Sequence, residues 1–441
     1  MGALTSLEGV AWQKLFPILA VCLLVLASCA PREGDDIGSP IFNGTTPDGV
    51  VVEPPISTLP APSVSAIRVP ADAFTIQQAV DLAQPGDLIL VDPGVYTEEV
   101  VIATEDIVIR GRDRNTVFID GIHALTTGVQ VNANGVAIEN LTVRNYLGDA
   151  ITVGTPDPTT QIDRFRALHV TTSNTAQNGI ALRNVTNAEV QQGWLSGHGE
   201  AGVLITGCTQ CNTLVTATLA EFSARGFSVV GARQAVSITS VTSRNNRAGI
   251  VVEDSEFVPT TGTTIAASII QNNGFSQSPL RNPEDDFSFG AGVHVGGTTN
   301  TQVIANRITG NTNAAVLLAQ NVSQTSGNPI GAIVERNTIV ENLDQDIVLA
   351  FQDADVDPSL CVINNGSAVV SPDGAGDAAA CGGTVAAPNF VWQVGTHDSI
   401  EYQNGPVPPT IDGLTDADSA GPAPAGEVFL PDPATAVVPE A

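Results

Sequence analysis

The stretch "AGVLITGCTQCNTLVTATLAEFSARGFSVV" (201–230) opens on Gly-Val-Leu-Ile at 202, passes a second β-rich run, Asn-Thr-Leu-Val-Thr, and reaches Gly-Phe-Ser-Val at 226, 24 residues on. The same step recurs along the chain. Equivalent segments begin at Gly128, Ala150, Gly179, Gly202, Gly226, Gly249, Gly292, Ala315 and Asp346. Most steps are 22 to 24 residues; those to Gly179 and Asp346 are longer, and Gly249 to Gly292 is roughly a double step. A fixed period of this size marks a repeat architecture, in which each unit packs on its neighbours.

Each unit is β-rich and almost free of helical pattern. A second short strand ends in Asn or a small polar residue, as in "VAIENLTVRN", "TQVIANRITGN" and "AIVERNTIVEN", so Asn140, Asn306 and Asn337 are expected to stack at one turn. Antiparallel sandwiches need hairpin turns of the Asn-Gly kind between strands. Here such a dipeptide, Asn178-Gly179, sits at a unit boundary instead. The pattern therefore predicts an all-β fold, a single-stranded right-handed parallel β-helix (solenoid) with a short N-terminal capping helix. Strands of successive rungs lie about 4.8 Å apart. Ile180, Leu182, Ile250 and Val252 point inward, and the glycines let the backbone turn corners.

An open first rung would invite other strands to pair. "FTIQQAVDLAQPGDLILVDPGVYTEEVVI" (74–102) supplies a cover: Phe74, Ile76, Ala79, Val80 and Ala83 share a helical face, and Pro85-Gly86 stops the helix. This segment, "IVIRGRDRNTVFIDG" (107–121) and "SGHGEAGVLITGCTQCNTLVTATLAEF" (196–222) resemble exported bacterial β-helix repeat proteins of the pectin lyase-like superfamily, with a cap similar to that of NosD-like and pectin methylesterase-like members. The resemblance covers roughly residues 67–350 and implies the fold. It does not single out an activity, because this architecture hosts many chemistries.

The ends read differently. "LFPILAVCLLVLA" (15–27) is too short to span a bilayer comfortably, and Leu26-Ala27-Ser28-Cys29 is similar to the lipobox of bacterial lipoproteins. An ordinary signal peptide fits less well, because Cys29 falls where the apolar run stops. The expected organisation is a signal peptide (1–28), a Pro/Gly/acid-rich disordered tether (29–66), the solenoid with a C-terminal disulfide loop (67–385), and an irregular or disordered acidic Pro/Ala-rich tail (386–441). The chain is expected to be exported and lipid-anchored at Cys29 to the outer face of the cell membrane, or otherwise periplasmic or cell-surface. A monomer is expected.

With 17 basic against 46 acidic residues the formal charge is −29, and the only lysine is Lys14. Nucleic acid is excluded as a partner, since phosphate binding needs clustered cations. Polyanionic glycans are disfavoured without a bridging cation, which leaves neutral polysaccharide.

Outward positions on the glycine-led strand are Gln130, Thr152, Ala181, Leu204, Ser228, Val251, His294, Leu317 and Val348, an apolar column in which only His294 titrates. "GFSQSPLRNPEDDFSFGAG" (274–292) is long enough to fold over it. In this insertion Glu284, Asp285 and Asp286 precede Phe287 and Phe289, so carboxylates, aromatic platforms and His294 meet within one rung. Asp285, Asp286 and His294 are the candidate catalytic residues, with Glu284, Phe287 and Phe289 as candidate sugar contacts. An acidic surface loop whose phenylalanines plug the apolar strip explains the same residues. A second candidate binding turn holds Trp194, His198 and Glu200, which a glycine-rich turn also explains. Asp353, Asp355 and Asp357 imitate a calcium loop, but Pro358 replaces the required glycine and Asn364 the closing glutamate, so no metal or cofactor is expected.

Family-specific sets are incomplete. Polygalacturonase-like hydrolases carry Asn-Thr-Asp, paired aspartates and Arg-Ile-Lys, of which only Asp285-Asp286 is present; a lysine base and the Met and His clusters of copper delivery are lacking. Three readings follow: a surface-anchored protein binding carbohydrate or an envelope component along its side, a polysaccharide hydrolase or lyase, and a structural spacer or adhesin.

After loss of Cys22 with the signal, four cysteines stand beyond the anchor. Cys361 lies about six rungs from Cys208 and Cys211, roughly 29 Å at the strand spacing, whereas a disulfide needs Cα atoms within about 7 Å. The repeat register therefore predicts Cys208–Cys211 and Cys361–Cys381. A zinc site lacks two further ligands, and a β-rung offers no helix N-terminus to activate a redox thiol.

Overall fold

The computed structural model describes residues 66–440, apart from 156, 158, 257, 282–286, 321–326, 352–356, 383–389, 391, 393, 395, 396 and 413–427. The described residues form three parallel sheets that wind as a right-handed β-helix. Sheet 1 has 12 strands, from Ile67–Val69 to Cys361–Ile363; sheet 2 has 10, from Gly94–Tyr96 to Thr338–Val340; sheet 3 has 11, from Val100–Ile102 to Val370–Ser371. Each turn of chain contributes one strand to each sheet, so every strand pairs with its counterpart one rung away.

The glycine-led strands form sheet 3, in the register read from the sequence. Thr152 pairs with Gln130 and Ala181, Ser228 with Leu204 and Val251, and His294 with Val251 and Leu317. Ile180, Leu182, Ile250 and Val252 join one core that runs from Val69 to Ala379. Because Val251 and His294 are direct partners, the long step from Gly249 to Gly292 is one turn, not two. Its extra residues leave the rung between Gln271 and Ala291.

The glycine column has a different cause from the one expected. A Cβ on Gly202 or Gly226 would lie 2.6 Å from the carbonyl oxygen of the matching glycine in the next rung, and on Gly249 the gap is 2.2 Å. The constraint is close stacking between rungs, not an unusual dihedral. Turns are instead made by single left-handed residues such as Asn140, His169, Ala305 and Arg336. Asn140 therefore stands one position before the stacked asparagines. Those form two ladders, Asn306–Asn337–Asn365 and Asn246–Asn273–Asn311–Asn342, buried except at Asn342 and linked by side-chain amide hydrogen bonds of 2.9–3.2 Å. Each side-chain amide satisfies backbone groups that a buried turn would otherwise strand.

The N-terminal cover is the helix Ile76–Leu82, with Ile76, Ala79 and Val80 buried. Thr75 accepts from the Gln78 N–H, and the Glu98 carboxylate takes the Ile76 and Gln77 N–H groups at 3.0 and 2.9 Å. Phe74 precedes this cap, lies off the buried face and is 83% exposed. At the far end Phe351, Leu360, Ala375 and Ala379 close the core, and Cys361 and Cys381 are bridged with Cα atoms 4.3 Å apart. Cys208 and Cys211 form the other bridge, buried in the turn between sheets 3 and 1, with Cα atoms 5.1 Å apart.

Beyond the solenoid the chain turns back along it. Phe390 donates its N–H to Phe351, Ile400 bridges Pro279, and Ile411 reaches Asn115 near the first rungs. No helix among the described residues is long and apolar enough to cross a membrane; residues 1–65, with the expected signal segment and Cys29, lie outside them.

Candidate functional site

The outer face of sheet 3 changes character along its length. In the last rungs Ala291, Ala314, Leu317, Ala319, Val348 and Ala350 form an apolar strip, covered by Trp392 and packed by Phe287, Phe390 and Val394. Trp392 donates its indole N–H to the Phe287 carbonyl at 3.1 Å. The cover thus comes from the insertion and also from the tail, which the sequence had not placed there.

Where the strip gives way to polar residues stand Arg225, Glu253 and His294. The last strand position of the Val251 rung carries Glu253 outward, paired with Gly296. A Cβ on Gly296 would lie 3.3 Å from both Glu253 Cγ and His294 Nε2, so the absent side chain leaves room for the two to meet. His294 Nδ1 lies 3.3 Å from Glu253 Oε1, and Arg225 Nη1 lies 3.8 Å from Glu253 Oε2. Burial pushes the Glu253 carboxyl up, but Arg225 and His294 outweigh it and hold it down to about 2. The carboxylate is therefore ionised across the ordinary pH range. His294 is only 2% exposed, and neither of its ring nitrogens makes a hydrogen bond among the described residues. Phe287 flanks the ring at 5.6 Å between centroids.

Of the sequence-chosen residues at this site, the fold brings Phe287 to His294. Glu284, Asp285 and Asp286 lie outside the described residues. Phe289 points elsewhere: it stacks on His397 at 3.6 Å beneath the Arg247 guanidinium. Glu253 and Arg225 were missed. Both occupy outward rows of sheet 3 beside the column that holds Val251 and His294, and Glu253 stands two residues on from Val251.

The second group does not assemble. His198 takes a ladder position, its N–H bonded to Ser223, which continues into the Asn246 ladder. Its ring is fully buried, with Nδ1 2.7 Å from Thr175 Oγ1 and Nε2 3.0 Å from Thr172 Oγ1. Burial lowers its pKa to about 3, so it serves the turn as a neutral ring. Trp194 lies on the outer face of sheet 2 with its indole N–H on Glu221, which also accepts from Arg244. Glu200 sits at the rim, bonded to Asn178 and paired with Arg281. Of the calcium-like aspartates, 353 and 355 lie outside the described residues, and Asp357 accepts from its neighbour Ser359.

No protein-family model matches the chain, and no curated protein does. Among solved structures it is similar to the mannuronan C-5 epimerase AlgE4 A-module of Azotobacter vinelandii, at 14% identity over 77% of this chain and 96% of that one, with a TM-score of 0.45. It is also similar to the PL6 family alginate lyase AlyGC (13%, 70% and 52%, TM-score 0.41) and to pectate lyase Pel9A (12%, 70% and 78%, TM-score 0.38). The chemistry has to be read from this chain's own side chains.

Proposed function

We propose that the protein acts on polysaccharide, with the sugar chain lying along the outer face of sheet 3 and His294 transferring the proton. The observation that carries this reading is the His294–Glu253 pair. The ionised Glu253 carboxylate lies 3.3 Å from Nδ1, close enough to act on the ring by its charge, and Nε2 is left without a partner to exchange a proton with a bound group. Arg225 holds Glu253, and Phe287 offers a ring beside the reacting position. The reaction class is hydrolysis of a neutral chain, or elimination on a chain whose uronic acid carboxyls are esterified, since elimination removes a proton α to a carbonyl and the formal charge of −29 disfavours a polyanion.

Reducing-end and unsaturated-product assays over a polysaccharide panel test it. Product from the wild-type chain, lost at least a hundredfold in His294→Ala, supports the reading; product from neither, or from both equally, removes it. The second reading is binding without chemistry, favoured by the burial of His294 and the covered strip beside it. Glycan binding retained in His294→Ala, with no product from either chain, supports that one.

We also propose export and lipid anchoring at Cys29, supported by the apolar run that ends in Leu26-Ala27-Ser28-Cys29. A Cys29→Ser chain should move from the membrane to the soluble fraction; unchanged partition would contradict the anchor.

A further inference from the structure

The chain's returning segment, residues 397–412, crosses from sheet 3 over the outer edge of sheet 2 to the turn between sheets 1 and 2. It is held through its main chain. Arg247 Nη1 donates to the Asp398 carbonyl at 2.6 Å, Asn174 to Gly405 and Ser196 to Pro406 at 3.4 Å, and Arg114 Nη1 to Asp412 at 3.2 Å. Asn115 does more. Its amide donates to the Ile411 carbonyl at 2.7 Å and accepts the Ile411 N–H at 2.9 Å, with Asp113 fixing its orientation. An amide that reads the N–H and C=O of one residue is complementary to a peptide unit.

The solenoid also tests size at one point. A Cβ on Gly405 would lie 3.0 Å from Asn174 Oδ1 and 3.1 Å from Gly197 Cα, so the track accepts glycine there. The present occupant fits incompletely. Most of the segment is exposed. Beneath its end, Arg114 is only 2% exposed and its Nη2 has no acceptor. A buried guanidinium N–H without a partner weakens the complex that leaves it so.

We infer that this track is a binding site for extended peptide, filled in cis by the chain's own C-terminal segment, which recognises a glycine followed six residues later by a main-chain unit on Asn115. The reading is independent of the polysaccharide proposal for sheet 3. Tethering keeps the cis segment at an effective concentration on the order of millimolar, so a peptide in trans gains entry only when the cis segment is displaced.

The test uses the full chain carrying Gly405→Leu, whose added side chain meets Asn174 and Gly197 and displaces the segment while every solenoid residue stays unchanged. Limited proteolysis within 398–412 should rise at least tenfold over wild type; unchanged cleavage would overturn the role given to Gly405. The probe is a fluorescent peptide of residues 397–412, followed by anisotropy. It should bind the Gly405→Leu chain saturably, at least tenfold tighter than the wild-type chain, and a further Asn115→Ala change should abolish the gain. A peptide carrying leucine at the glycine position should not bind. Failure of the native peptide to bind a chain whose segment is released would overturn the site. Binding of oligosaccharide there in place of peptide would overturn it equally, and would leave the His294 assays untouched.

Discussion

His294 Nδ1 and Glu253 Oε1 lie 3.3 Å apart across the place where Gly296 lacks a side chain. The two arise from neighbouring rungs that pair Val251 with His294, so the backbone register fixes their approach. If Glu253 orients the ring for proton transfer, Glu253→Gln should lower the turnover number by about a hundredfold, within the range of a positioned acid–base group. KM should change little. Gly296→Ala should reproduce part of the loss by pressing on both partners, and steady-state kinetics on the active polysaccharide separates the two effects.

The glycine column makes a stability prediction. Gly226→Ala places a methyl group against the Gly249 carbonyl and should destabilise the chain by roughly 1–3 kcal/mol, as overpacking of a tight core does. Urea unfolding monitored by circular dichroism measures it. A neutral result would mean that rungs separate more easily than their stacking suggests.

Buried and exposed ion pairs should differ sharply. Glu139 is fully buried on sheet 1 between Arg110 at 2.5 Å and Arg166 at 2.6 Å. Glu139→Gln leaves two guanidinium groups competing for a neutral amide and should cost roughly 3–5 kcal/mol. Glu200→Gln breaks the pair with Arg281, whose side chain is half exposed, and should cost under about 1 kcal/mol. Paired chemical denaturation curves compare the two.

Acid should destabilise the fold through two histidines, His198, which is fully buried, and His169, which is half-buried. Burial lowers His198 to about 3; burial, then the Arg114 charge, lowers His169 to about 4. The unfolded chain protonates these rings near pH ~6.5, so between that pH and the folded values it binds more protons. Their contribution to stability is fully present above pH ~6.5 and is lost as pH falls toward 4 and then 3, on the order of 4 kcal/mol for His198. His198→Asn supplies the residue that later rungs use at this ladder position. It should fold and show a shallower loss of stability between pH 6 and about 4.

Much of this was legible in the sequence, for a physical reason. A solenoid repeats one environment, so period and alternation alone place Thr152, Ser228, Val251 and His294 in a single outward column. The same repetition separates Cys361 from Cys208 and Cys211 and leaves two pairings. Less legible were features that depend on neighbours in the next rung. His198 looks like part of an open glycine-rich turn, yet the Asn246 ladder below it draws it inside. Phe74 shares helical spacing with Ile76 and Ala79, but it stands before the cap residue Thr75 and never joins the helix. The course of residues 397–412 was hidden most deeply, because proline-containing chain without a period carries no register and is held, apart from the close fit at Gly405, by main-chain bonds that any sequence offers.

The most direct test of the central claim is hydrogen exchange on the wild-type chain, with and without the oligosaccharide that the product assays identify. Protection concentrated in the sheet 3 strands Arg225–Val230, Ala248–Glu253 and Ala291–Gly296 is the expected result. Protection confined to sheet 1, or none at saturating ligand, would contradict the assignment of the His294 face as the working surface.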